Sequence, residues 1–179
     1  YRDPYTVLSY YNENAAEKDL IQSAFIVMDY TGTVQAVVGG LGEKPGDGAF
    51  NRATQATRSP GSTMKPISTY SLAVQKNLIT YSTLIPDEAI NIGTQDEPQI
   101  WPQNYGEVWG DGTLRTAWYG VQHSLNTLAV RVGRMNTTKA MYTQLTQMLG
   151  FTTLVESDIA LSPLCLGALT NGAKLVEVA

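Results

Sequence analysis

The sequence predicts an α+β domain: a β-hairpin near the start, then a run of helices, with an antiparallel sheet flanked by helices as the expected packing. Three observations carry that prediction. Two apolar, β-branched runs, 23–30 and 33–38, are joined by Thr31-Gly32, and such runs around a Gly-bearing turn read as a hairpin. Apolar residues recur at helical spacing over 62–77, 113–122, 127–134 and 137–149. The 179 residues are 43% hydrophobic, and a chain of this mass buries roughly 70% of its unfolded surface, enough for a sizeable core.

Taken in order, residues 1–22 form a lead-in segment in which Tyr5, Leu8 and Tyr11 repeat at a helical spacing. Residues 23–30 read as a buried strand, 33–38 as its partner, and Gly39-Gly40 ends the hairpin. Gly42, Pro45, Gly46 and Gly48 mark a loop. The helix expected from Ser62 places Ile67, Tyr70, Ala73 and Val74 on one face and stops at Asn77. Residues 78–112 carry Pro86, Pro98 and Pro102 without a sustained period. They read as an excursion over the surface, with a short strand at 89–92. Gly150 ends the last clear helical pattern, and the tail, 151–179, is interrupted at Pro163 and Gly167 before a helix opens within 173–179.

Composition removes several function classes. Twelve Lys+Arg against sixteen Asp+Glu leave a net charge of −4, and without clustered positive charge no nucleic-acid partner is expected. A single cysteine, Cys165, and a single histidine, His123, exclude an intrachain disulfide, a cysteine-built metal site and a multi-histidine zinc centre, so neither metal nor cofactor is expected. Cys165, between Leu164 and Leu166, reads as a small buried hydrophobe. No apolar stretch approaches the ~18 residues of a membrane span. The chain opens on Tyr1 with no signal-peptide layout, which is expected of a processed piece.

The chemistry concentrates in Arg58-Ser-Pro-Gly-Ser62-Thr-Met-Lys65-Pro66. Pro66 would cost about 3 kcal/mol inside a helix but little in its first turn, and Pro60-Gly61 disfavours an earlier start. The helix therefore begins close to Ser62, which puts a hydroxyl at the positive end of the helix dipole. Lys65 lies three residues on, along the same face. A lysine accepts a serine proton only when burial or a neighbouring cation lowers its pKa. Ser-x-x-Lys at a helix start is then a nucleophile-and-base unit that needs no histidine. Taken alone, the same residues are better read as an N-cap serine and a solvated first-turn lysine, although a lysine there faces the unfavourable end of the dipole. Ser124-Leu-Asn126, between two helical patterns, can turn a hydroxyl and an amide to one side of a loop; alone it too reads as a cap.

The two units together, in this order, resemble the first two motifs of penicillin-binding proteins and serine β-lactamases. The segment from Phe50 to Pro66 is similar to the surroundings of the active serine in class A penicillin-binding proteins. Trp101-Pro-Gln-Asn-Tyr105 resembles a Trp-x-Pro-x-Asn-Tyr stretch of that family with one residue fewer. Thr113-Leu-Arg-Thr-Ala117 and Ser124-Leu-Asn-Thr127 resemble the helix and loop of its second motif. Val37-Val-Gly-Gly40 resembles the end of its first hairpin. The resemblance implies a transpeptidase-like α/β sandwich, with residues 23–179 as the N-terminal part of the domain. It also implies an extracytoplasmic place in the cell envelope, anchored to the membrane through a segment absent from this chain.

By the same resemblance, Ser62 would attack the D-Ala–D-Ala carbonyl of a peptidoglycan stem peptide and Lys65 would take its proton. Ser124 would pass a proton to the departing D-Ala, and Asn126 would hold the acyl-chain amide. The Ser62 N–H would supply half of an oxyanion hole. β-Lactams would acylate the same serine. Trp101, Tyr105 and Trp109 form a candidate substrate wall, with core packing as the equal alternative. His123 is expected to pack or face solvent, and Asp87, Glu88, Asp96 and Glu97 to be solvated. The third family motif, Lys-[Ser/Thr]-Gly, is not present: none of Lys18, Lys44, Lys65, Lys76, Lys139 and Lys174 begins it. The sheet is accordingly expected to be incomplete, and the remainder of the domain is an expected partner. A serine β-lactamase is one rival reading; a non-catalytic β-lactam sensor or peptidoglycan-binding domain is the other.

Overall fold

The computed structural model describes residues 21–42 and 46–179, so the lead-in helix around Tyr5, Leu8 and Tyr11 lies outside the described residues. The chain forms two compact units, one holding the described residues up to Ala56 together with 174–177 and 179, the other holding 57–173 and 178.

In the first unit the expected hairpin is present. Strand β1 (Phe25–Met28) pairs antiparallel with β2 (Val34–Val38) in the register Phe25↔Val38, Ile26↔Val37, Val27↔Ala36, with an irregularity before Met28↔Val34. The connection is built on Asp29, whose Oδ1 accepts from Thr31 N at 2.9 Å and Thr33 N at 3.0 Å and whose Oδ2 accepts from Gln35 Nε2 at 2.7 Å. Gly32, at φ +83°, supplies the left-handed residue the turn needs. The strands are not buried as expected: Phe25 is 60% exposed, and every residue of β2 is exposed. The apolar run encodes the strand, but burial reaches only Ile26 and Met28 of β1, and those only in part.

In the second unit the site-bearing stretch is a continuous helix, α1, over 61–75. It starts as a tight 3-10 turn (Gly61–Thr63), widens to π winding over Lys65–Tyr70, and ends as α-helix (Ser71–Gln75). Asn77, at φ +55°, marks the stop expected from sequence. Of the expected apolar face, Tyr70 and Ala73 are buried and Ile67 is half-buried, but Val74, near the end of the helix, is 51% exposed.

Residues 78–112 are more than a surface excursion. Strand β3 (Leu84–Pro86) pairs antiparallel with β6 (Leu114–Thr116), and β4 (Ile90–Asn91), which matches the expected 89–92 strand, pairs with β5 (Ile100–Trp101). Ile79, Ile85 and Ile90 are buried. The helix expected at 113–122 therefore starts late. Residues 114–116 are drawn into a strand by β3, and α2 spans Ala117–Gln122, capped by Thr116, whose Oγ1 accepts from Tyr119 N at 3.1 Å.

Helix α3 (Asn126–Asn136) is followed by α4, which begins at Thr138–Thr143 and continues π-wound over Gln144–Met148. Helix α5 (Leu161–Leu166) was not expected from sequence, because Pro163 reads as a breaker; it sits in the first turn, where the missing N–H costs little. At the end of the chain a short helix, α6 (Leu175–Val178), opens inside the expected 173–179 window.

Two buried clusters hold this unit together, and α1 and α3 contribute to both. Met64, Leu72, Val130, Met141, Leu145, Leu164 and Cys165 belong to one; Tyr70, Ala73, Ile79, Ile85, Ala117, Leu128, Ala129 and Val132 belong to the other. Because each of these two helices packs into both clusters, the core fixes where the N-terminal ends of α1 and α3 lie.

Candidate active site

The start of α1 is set by its neighbours. Gly61 takes φ +54°, and the chain at Gly167 packs so closely that a Cβ there would fall 2.1 Å from Gly61 O. Ser59 Oγ donates to Gly167 O at 2.8 Å, which straps the approach to the helix onto the end of α5. Pro60 then precedes the first turn, and Ser62 faces solvent within it. Among the described residues, the Ser62 hydroxyl has no hydrogen-bond partner, so it is free to meet a ligand.

Pro66 lies just beyond the first turn instead of inside it. It has no N–H to offer Ser62 O, and the winding loosens there: Ser71 N bonds to Pro66 O, five residues back. Carbonyls along this stretch are met by side chains. Ser68 Oγ is 2.9 Å from Met64 O and also reaches Leu164 O, Ser71 Oγ donates to Ile67 O at 2.5 Å, and Asn136 Nδ2 donates to Thr69 O at 2.7 Å. The irregular helix is thus held on several sides, with Lys65 at its first π position.

Lys65 is only 2% exposed. Its Nζ donates to Ser124 O at 2.5 Å, Ser124 Oγ at 3.0 Å and Asn126 Oδ1 at 2.5 Å. Three acceptors match the three donors of an ammonium. Burial nevertheless disfavours the charge, and desolvation lowers the Lys65 pKa from 10.5 to about 8. The motif loop accommodates this by strain: Ser124 sits at φ +52°, where a residue with a Cβ costs about 1–2 kcal/mol, and presents both its carbonyl and its hydroxyl to one amine.

Asn126 opens α3, and its side-chain Nδ2 donates to Gln103 O at 2.7 Å. The residue before it is Leu125, which has no polar group with which to cap the helix. The cap comes from far along the chain: Asn104 Oδ1 accepts from Asn126 N at 2.8 Å and Thr127 N at 3.3 Å. Asp87 Oδ1 in turn accepts from Asn104 Nδ2 at 3.0 Å and Thr127 Oγ1 at 2.6 Å. Asp87 is buried, not solvated as expected, and its main chain is tied to Thr113 O and Gly112 N. Gln103, Asn104, Asp87 and Thr127 were not singled out as site residues. Gln103 and Asn104 lie within the quoted Trp101-Pro-Gln-Asn-Tyr105 and Thr127 within Ser124-Leu-Asn-Thr127, whereas nothing in the sequence marked Asp87.

The structure therefore brings Lys65, Ser124 and Asn126 into one hydrogen-bonded group, with Ser62 one turn before Lys65 on the same helix. Trp101 is half-buried and packs against the first cluster, whereas Tyr105 is 98% exposed and Trp109 is exposed. His123 is exposed and stacks on Tyr119 with ring centroids 4.0 Å apart. Cys165 is a buried free thiol whose pKa burial pushes up to about 11, so it stays protonated and packs as a hydrophobe.

Chemically this is a serine–lysine arrangement: an exposed hydroxyl at a helix start, a buried amine poised to lose its proton, and a second hydroxyl in contact with that amine. Comparison with known proteins agrees with the class and goes further. The chain belongs to the penicillin-binding protein transpeptidase domain family, whose description, "Penicillin binding protein transpeptidase domain", matches residues 22–160. Penicillin-binding protein 4 of Bacillus subtilis (strain 168) is 33% identical over 181 residues, covering 98% of this chain and 27% of that protein. Penicillin-binding protein 1A of Neisseria lactamica is 40% identical over 120 residues, covering 65% of this chain and 14% of that protein. Among solved structures, penicillin-binding protein 1A from Haemophilus influenzae superposes with a TM-score of 0.63 at 26% identity, over 81% of this chain and 20% of that one. A peptidoglycan glycosyltransferase from Burkholderia ambifaria shares the fold over 97% of this chain and 56% of its own, with a TM-score of 0.62 at 21% identity. The chain thus spans about a quarter or less of the length of these curated relatives. No helix among the described residues is long and apolar enough to cross a membrane.

Proposed function

We propose that this chain carries the acylation half of a D,D-transpeptidase that cross-links peptidoglycan stem peptides. Ser62 is the nucleophile. Neutral Lys65 takes the hydroxyl proton as Ser62 Oγ bonds to the D-Ala carbonyl carbon; the tetrahedral intermediate then expels D-Ala, whose amine receives a proton by way of Ser124. The amine of a second stem peptide displaces Ser62 in the reverse sequence. Asn126 holds the acyl chain through the Nδ2 hydrogen that Gln103 leaves free, and the Ser62 N–H at the start of α1 faces the developing oxyanion. β-Lactams open on the same serine. Exposed Tyr105 is available to the substrate, while Trp101 supports the loop from the core side.

The observation that carries this reading is Lys65: fully buried, lowered to about 8, and hydrogen-bonded to both Ser124 Oγ and Asn126 Oδ1. A solvated first-turn lysine has none of these properties. We propose, too, that residues 23–179 are the N-terminal part of a domain completed by residues carrying Lys-[Ser/Thr]-Gly, in the cell envelope outside the cytoplasm. The exposed apolar hairpin, with Phe25, Val27, Val37 and Val38 each more than 40% exposed, supports that incompleteness.

The test is labelling of the natural full-length protein with a fluorescent penicillin. One equivalent of stable label, absent in Ser62→Ala, is expected, with nitrocefin giving a stoichiometric burst and no rapid turnover. A chain that stays unlabelled is not an acyltransferase, and rapid nitrocefin turnover makes it a β-lactamase.

A further inference from the structure

The reach of Asn126 toward Lys65 depends on a feature that the motif does not contain. Helix α3 begins without a side-chain cap of its own, because Leu125 precedes it. Its first two N–H groups are taken by one oxygen, Asn104 Oδ1, which can face them only if the Asn104 amide is oriented with Nδ2 pointing the other way. Asp87 Oδ1 supplies the acceptor that fixes this orientation, and it takes the Thr127 hydroxyl at the same time. The chain passes against Asp87 at Gly110, where a Cβ would lie 2.5 Å from Asp87 Oδ1 and 2.2 Å from Asp87 O. The side chains of Asp87 and Thr127 are buried, and a charged hydrogen bond in such surroundings is stronger than a neutral one. The negative charge also lies at the N-terminal end of α3, the favourable end of its dipole.

We infer that Asp87 is a positioning residue for the second motif, acting through Asn104 and Thr127 to hold Asn126 at the distance from which it engages Lys65 and substrate. Its acceptor oxygen matters, and its contact with Ser62 chemistry is indirect. The inference rests on the transpeptidase reading only for its kinetic consequence; the brace itself is a statement about α3.

The experiment compares Asp87→Ala, Asp87→Asn and Asn126→Ala, singly and with Asp87→Ala/Asn126→Ala combined, in the natural full-length protein. The readouts are second-order acylation by a fluorescent penicillin and amide hydrogen exchange of the peptide covering 124–128. A displacement of about 1 Å at a reacting site costs about 100-fold in rate, and that is the loss expected for Asp87→Ala. Asp87→Asn keeps an acceptor oxygen in place and is expected to recover most of it. The double variant is expected to lose no more than Asn126→Ala alone, because both remove the same interaction. Exchange at 124–128 is expected to rise at least ten-fold in Asp87→Ala and to stay near wild type in Asp87→Asn. Additive rate losses, or unchanged exchange in Asp87→Ala, overturn the inference. If wild type is not acylated the proposed function fails, while the exchange comparison still decides the brace. If Asp87→Ala does not fold, Thr127→Val, which deletes one of the two donors to Asp87, takes its place with the same expected pattern and the same refuting results.

Discussion

The burial of Lys65 makes acylation depend on pH in a way that can be worked from the structure. An exposed lysine titrates near 10.5, and Lys65 near 8. At pH 7 this raises the neutral fraction from about 1 in 3,000 to about 1 in 10, a gain of roughly 300-fold in competent base, or about 3 kcal/mol. The rate of Ser62 acylation should therefore climb about ten-fold per pH unit between pH 6 and 7.5, bend near 8, and stay level to pH 9.5. The assay is the initial rate of fluorescent-penicillin labelling of the full-length protein across that range. In Lys65→Arg the side chain cannot give up its proton, and the rate should fall by about 10²–10⁴ with the pH-dependent limb lost. The same desolvation should appear in stability. The folded pKa lies below the unfolded one, so between pH 8 and 10.5 the unfolded state binds more protons, and stability rises as pH rises. Cys165 acts oppositely above its ordinary value of 9, because its folded pKa is raised to about 11, which leaves pH 8 to 9 as the window where a gain of about 1 kcal/mol is attributable to Lys65. A labelling rate that is flat from pH 6 to 9, or that still climbs without bending at pH 9.5, refutes the assignment of Lys65 as the base.

Two close approaches supply further tests, both read by thermal or denaturant unfolding. A Cβ at Gly133 in α3 would fall 2.2 Å from Cys165 Sγ in α5, so Gly133→Ala should cost about 1–3 kcal/mol by overpacking, and Cys165→Ala in the same chain should restore part of it; a strictly additive pair would contradict that contact. Gly167→Ala meets Gly61 O at φ +76° and should destabilise by more than about 2 kcal/mol, while also slowing Ser62 labelling because the start of α1 must shift; a stable variant with wild-type labelling would show that Gly167 does not set the start of α1.

Local features were legible in the sequence. The Thr31-Gly32 turn between two apolar runs encoded the hairpin, and Pro60-Gly61 before Ser62 placed the helix start, since both depend on residues only a few positions apart. The helix at 113–122 was misread over 114–116 because helical spacing there competes with a strand partner, Leu84–Pro86, that is remote in sequence. Helix Leu161–Leu166 was missed for the converse reason: Pro163 breaks a pattern but is tolerated in a first turn.

By itself, the sequence determined the order and spacing of the two motifs, the family they belong to, and the absence of a Lys-[Ser/Thr]-Gly triplet. What it left undecided was whether Lys65 is a solvated cation or a buried amine. That was decided only when the fold closed contacts across 59 and 61 positions to Ser124 and Asn126 and removed water from the amine. The role of Asp87 came from the same source: a carboxylate in a proline-containing stretch reads as solvated until its partners, 17 and 40 positions away, are brought to it. Desolvation and long-range hydrogen bonding are properties of the closed core, and no local pattern records which distant residue will share it.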